Sequence, residues 1–173
     1  DARLAAMHME AIATSSARMG HPYYLALWHI GMAQVMYLQK RPGDARTNIS
    51  RALEIGRSVK STVIEWYSLL VTAWFHFREG ADKDGLKMLR RALALGRKHG
   101  YVHLEFYQPA VMRFLCAKAL EQGIEEDYCR SLIKKLGLAP PVSGMPDGNV
   151  EIPDLSNWPY PVRICTLGRF AVF

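Results

Sequence analysis

The chain repeats itself at an interval of about 40 residues, and this constrains its fold more than any other feature of the sequence. Ala11-Ile12-Ala13, Ala52-Leu53-Glu54 and Ala92-Leu93-Ala94 are offset by 41 and then 40 residues. The later two copies agree best, as Arg51-Ala52-Leu53-Glu54-Ile55-Gly56-Arg57 against Arg91-Ala92-Leu93-Ala94-Leu95-Gly96-Arg97. A period of this length marks stacked supersecondary units. Each unit is too small to bury its own apolar face, so neighbours must stack to make one continuous core.

Each unit reads as two helices. The first covers about 22–39, 62–79 and 102–121, the second about 45–58, 84–98 and 125–136, and an unpaired second-type helix is expected near 3–18. Ala45, Ile49 and Ala52 fall at i, i+4 and i+7, as do Gly85, Leu89 and Ala92, and these small residues let the paired helix approach closely. Arg41-Pro42-Gly43-Asp44, Glu79-Gly80-Ala81-Asp82 and Gln122-Gly123-Ile124-Glu125 each offer a helix-ending glycine near an acidic residue suited to the next helix start. Pro109 lacks an amide donor and is expected to kink or restart its helix near Tyr107 or Gln108.

The 173 residues are 50% hydrophobic and 22% charged, enough apolar side chain for a core and unlike a disordered tail. No run approaches the roughly 18 apolar residues of a membrane span, and the first twenty residues lack the order of a signal peptide, so a cytoplasmic protein is expected. Cys116, Cys129 and Cys165 neither pair evenly nor form a CxxC, which argues against a disulfide framework and a cysteine zinc site. The net charge of +6 is concentrated in residues 40–98, which hold thirteen Lys or Arg against six Asp or Glu. Such a segment attracts nucleic acid, anionic lipid or an acidic protein, or forms a solvated outer helix face.

The repeat resembles the tetratricopeptide repeat, with longer helices like those of large bacterial transcription activators of the maltose-regulator type. The resemblance rests on the small–large–small stripe of the second helix and on Gly31 in the first, and it departs at Val71 and at Ala110 or Val111, where glycine is expected. It implies an all-α fold, a tetratricopeptide-like α-α superhelix of helical hairpins over residues 1–137.

From Leu138 the helical periodicity is lost, and prolines and glycines mark a linker over 138–161. Residues 162–173 are rich in β-branched and aromatic side chains and read as one orphan β-strand, without a partner in the chain. Asn157-Trp158-Pro159-Tyr160-Pro161-Val162-Arg163-Ile164, followed by Thr166-Leu167-Gly168-Arg169-Phe170, resembles the entry into the winged-helix DNA-binding domain of antibiotic-regulator-type activators. In that family this run is the first strand before the helix-turn-helix, and some large members carry a signalling ATPase module upstream. The resemblance implies that the chain is a piece of a regulator that ends at the first strand of a truncated winged-helix domain. Val162, Ile164, Leu167, Phe170 and Val172 are the expected strand-pairing segment, and a homodimer formed through it is the favoured association.

No catalytic constellation emerges. His99 and His103 have i, i+4 spacing but sit at a helix break with no third ligand nearby, so no metal is assigned. Cys116 and Cys129 read as apolar packers, Glu125-Glu126-Asp127 as a helix start, and there is no GxxxxGK[ST] phosphate loop. The chain is expected to be noncatalytic and to need no cofactor.

A partner surface is better marked. Within the apolar run Val63 to Phe77, the polar Glu65, Ser68, Thr72 and His76 form one helical stripe at i, i+3, i+7 and i+11. One period later Glu105 and Gln108 match Glu65 and Ser68, while Trp28 and Met32 lie on the preceding first-type helix. The tetratricopeptide resemblance implies that first helices line a concave groove, so these eight residues are the candidate surface for a protein segment or small inducer. The competing reading of the stripe is a plain solvent face. The expected function is sensing or protein interaction coupled to an adjacent DNA-binding domain, with DNA contacted only by that domain and no membrane partner. The alternatives are a structural or oligomerisation arm, or a nucleic-acid-binding solenoid using the basic face Arg51, Arg57, Arg90, Arg91, Arg97 and Lys98.

Overall fold

A computed structural model describes residues 21–102, 108–141 and 153–160, together with the backbone of 164–165 and 171–172. Among the described residues six α-helices follow in order: α1 Pro22–Leu38, α2 Pro42–Ser58, α3 Thr62–Arg78, α4 Asp82–His99, α5 Pro109–Glu121 and α6 Glu126–Leu136. Among the described residues the fold is all-α apart from one small antiparallel strand pair near the C-terminus. The helix expected near 3–18 lies outside the described residues.

All six helices end in the same way. One or two residues past each helix the backbone takes the left-handed conformation, at Lys40, Lys60, Gly80, Gly100, Gly123 and Gly137, with φ between 53° and 73°. The next amide then reaches back across the last turn, as in Arg41 N to Met36 O at 3.0 Å, Ser61 N to Gly56 O at 2.8 Å and Ala81 N to His76 O at 2.9 Å. This closure satisfies carbonyls that the helix itself leaves open. The first four closures fall at 40, 60, 80 and 100, so the 40-residue period consists of two 20-residue helix-and-turn units.

The helix starts differ from expectation where proline decides them. Pro42 opens α2 and Pro109 opens α5, in the first turn, where a missing N–H costs nothing. Gly43 therefore lies inside α2 and Lys40 makes the turn. The long helix expected from 102 begins at Pro109, and residues 103–107 lie outside the description.

The hairpins α1–α2 and α3–α4 have the most extensive packing, α5 pairs with α6, and α3 also meets α1, α2 and α5. Close approach depends on the small residues. Ala52 and Ala92 are fully buried. A Cβ placed on Gly56 would come within 2.6 Å of Ile64 Cγ2, and one on Gly85 within 2.8 Å of the Phe77 ring. Rings connect successive units: Tyr37 stacks on Phe75 at 4.3 Å between centroids, and Phe114 meets Trp74 and Phe77 edge-on at 5.2 and 5.7 Å. The result is one hydrophobic core extending from Ala26 of α1 to Trp158.

The stretch expected to be a linker is seated on the helices at both of its described ends. Leu138, Pro141, Pro153 and Trp158 are buried, and the Asp154 amide donates to Glu121 Oε1 of α5 at 3.0 Å. Tryptophan has too much apolar surface to leave in water when a core edge is within reach, so Trp158 overrides the surrounding loop composition. The terminal strand also differs. β1 Ile164–Cys165 pairs antiparallel with β2 Ala171–Val172, Ile164 opposite Val172 and Cys165 opposite Ala171, so the backbone finds a partner inside the chain where pairing with a second copy was expected. The side chains of the proposed pairing segment, including Val162, Leu167 and Phe170, lie outside the description.

Candidate functional site

Of the eight residues expected to form one groove, the seven that are described do not lie together. Thr72 and His76 of α3 line a depression of about 230 Å³ between α2, α3 and α4, together with Arg46, Leu53, Met88 and Arg91. Glu65 is at its edge, paired with Arg91 at 3.4 Å. The stripe thus looks toward the second-type helices and not toward the surface shared by first-type helices, which corrects its expected direction. Ser68 is also corrected: it is fully buried, its Oγ has no hydrogen-bond partner, and it presents nothing to a ligand. The polar stripe therefore continues into the core at that residue.

Gln108 lies on the opposite side. As the residue preceding α5 it donates from Nε2 to Gln34 Oε1 at 2.7 Å, and Gln34 Nε2 donates to the Tyr67 hydroxyl at 3.3 Å. This chain of polar groups joins α1, α3 and the start of α5, the side on which the groove was expected. Gln34 and Tyr67 were not anticipated, although Tyr67 sits two residues from Glu65, on the far side of the same helix. Trp28 and Met32 form a third location, a small cluster with Val35 and Met36 along α1. Glu105 lies outside the described residues.

The six expected basic residues are all exposed, and half of them are engaged in ion pairs. Arg51 pairs with Glu54 at 3.0 Å, Arg91 with Glu65 and Arg97 with Glu125 at 2.6 Å. Arg57, Arg90 and Lys98 have no acidic partner among the described residues. Arg46, not anticipated, pairs with Glu79. Two signals could have marked it, its i, i+4 relation to Ser50 and its i, i+7 relation to Leu53 on one face of α2.

The remaining sequence candidates are in structural settings. Cys116 and Cys129 are buried on α5 and α6. A hydrogen bond with Cys129, followed by burial, raises the Cys116 thiol well above its ordinary value, the reverse of what a nucleophile needs. Glu126 and Asp127 pair with Arg130 in the first turn of α6. His99 stacks on Tyr101 at 5.3 Å, and His103 lies outside the description. Among the described residues no three His, Cys, Asp or Glu side chains are grouped to hold a metal ion, and no helix is long and apolar enough to cross a membrane.

Comparison with protein-family models, curated proteins and solved structures found no match to this chain.

Proposed function

We propose that the chain is a noncatalytic sensor and protein-interaction portion of a bacterial transcriptional regulator. In this reading its hairpins stack as a tetratricopeptide-like superhelix, and occupancy of that superhelix by a ligand or partner is passed to an adjoining DNA-binding domain. The observation that carries it is Trp158. The segment between the last hairpin and the terminal strand pair is anchored in the helical core by this side chain, 6% exposed, and by the Glu121 to Asp154 hydrogen bond. A rearrangement of the hairpins therefore has a mechanical route to the segment whose wording resembles the winged-helix entry. A ligand drives such a rearrangement only as far as it prefers one arrangement over the other.

The exposed Arg57, Arg90 and Lys98 favour one rival, direct nucleic-acid binding by the helices. Fluorescence anisotropy with duplex DNA and single-stranded RNA, from about 50 to 200 mM salt, separates the two. The sensor reading expects no appreciable binding across the range. Tight binding with a steep salt slope, reduced by replacing those three residues with Gln, would replace it with the nucleic-acid reading.

A further inference from the structure

We propose that the depression between α2, α3 and α4 binds a small organic carboxylate with an apolar body. The proposal rests on the sensor reading and names the ligand class that such a sensor would recognise.

Two guanidinium groups stand in the walls. Arg46 from α2 and Arg91 from α4 stand on opposite sides, Thr72 and His76 rise from α3 between them, and no acidic side chain lines the space. The acidic partners of the two arginines, Glu79 and Glu65, lie outside the lining. Each guanidinium has five N–H donors, more than one carboxylate oxygen consumes. Arg91 meets Glu65 at 3.4 Å, longer than the about 2.7–2.9 Å of a strong charge-assisted bond, so it gives up little by turning to a ligand. Both side chains are half exposed and have room to pivot.

The base is apolar, formed by Leu69 and Phe75, both nearly fully buried, with Met88 at the side. An ion without an apolar part leaves that base wet, and an apolar molecule without charge leaves the spare guanidinium donors of Arg46 and Arg91 unused. The volume, about 230 Å³, is below the about 300–1,000 Å³ of drug-sized sites, which limits the occupant to a single ring or a short branched chain.

The test follows the methyl resonance of Met88, assigned with Met88→Leu, in the whole chain labelled at methionine methyls. Three probes of matched or simpler chemistry are titrated: phenylacetate, 2-phenylethanol and inorganic phosphate. Phenylacetate should shift the resonance saturably, and the other two should bind at least about tenfold more weakly. Arg46→Gln with Arg91→Gln should reduce phenylacetate to the level of 2-phenylethanol, whereas Arg57→Gln with Arg90→Gln, outside the depression, should leave the preference intact. Thermal unfolding of both double variants checks that each is folded. Equal binding of phenylacetate and 2-phenylethanol, an unchanged preference in the first double variant, or no saturable shift would overturn the proposal. Loss of this ligand class leaves the nucleic-acid titration to judge the sensor reading. Saturable binding at Met88 with no response of the Trp158 indole signal would keep the site and remove the coupling.

Discussion

The first two hairpins and the third solve the same packing problem by different means. Each of α1 to α4 is 17 or 18 residues long, α1, α2 and α3 are each joined to the next through a turn of the same geometry, and glycine or alanine stands at close approaches such as Ala52, Gly56, Gly85 and Ala92. The third hairpin has helices of 13 and 11 residues and is covered by Leu138, Leu155 and Trp158 from the segment that follows. A unit inside a stack has its outer face covered by the next unit, and a final unit must obtain that cover elsewhere. The tryptophan segment supplies it here. In their packing, the described residues after α6, 138–141 and 153–160, belong with the helices.

Removing that cover should produce the largest effect. Trp158→Ala is expected to cost about 3–5 kcal/mol, read as a lower urea midpoint, because it deletes a large buried ring. A midpoint within error of the parent would mean that the third hairpin needs no cover. Next is Gly96, where the stack meets the final unit: a Cβ there would collide with the Tyr128 hydroxyl of α6 and come within 2.6 Å of Trp66 Nε1 of α3. Gly96→Ala should cost about 1–3 kcal/mol, and Ala52→Trp or Ala92→Trp at least as much, because side chains packed into the core have little room to give way. Unchanged stability in these variants would contradict close packing at the repeated small positions.

A smaller gain is expected from the turns. Lys40 and Lys60 occupy the conformation that Gly80 and Gly100 hold in the next repeat. Lys40→Gly and Lys60→Gly should each stabilise the chain by about 0.5–1 kcal/mol, the side-chain strain removed being partly offset by glycine's greater freedom when unfolded. Destabilisation in both would show that the lysine side chains make compensating contacts.

The smallest effect concerns pH and separates the third hairpin from the others. Burial raises the Glu121 carboxyl, but the Asp154 amide and the Lys118 ammonium outweigh it, and the result is a value below the ordinary 4.5. A depressed folded value contributes stability that is present above about pH 4.5 and is lost as pH falls through the folded value. Docking of 153–160, followed by Trp158 emission, should therefore weaken in acid below that range, and Glu121→Gln should flatten the acid limb. An identical limb in the variant would assign the transition to other carboxylates.

The helical content was legible in the sequence because alanine and glycine recur at helical spacing on the second helix of each unit. Gly80 and Gly123 announced their turns. Lys40 and Lys60 did not, since neither residue type signals a left-handed turn and only its position in the 20-residue rhythm reveals it. Pro109 gave its helix start because a missing donor acts locally. The polar stripe is a single line along α3 by spacing, but spacing cannot say which neighbours flank a line. That depends on how helices far apart in sequence are stacked, and it decided that Thr72 and His76 line a depression while Ser68 is buried. Trp158 was hidden by its setting, because proline-rich composition describes a segment's average and one aromatic residue determines where the segment docks.

Amide hydrogen exchange on the parent and on Trp158→Ala tests whether residues 153–160 are part of the helical core. Faster exchange is expected in α5, α6 and 153–160 of the variant, with α1 and α2 retaining the parent's protection. Unchanged protection of α5 and α6 alongside a freely exchanging 153–160 would show that the segment is only an attached tail, and would contradict both the packing argument and the coupling built on it.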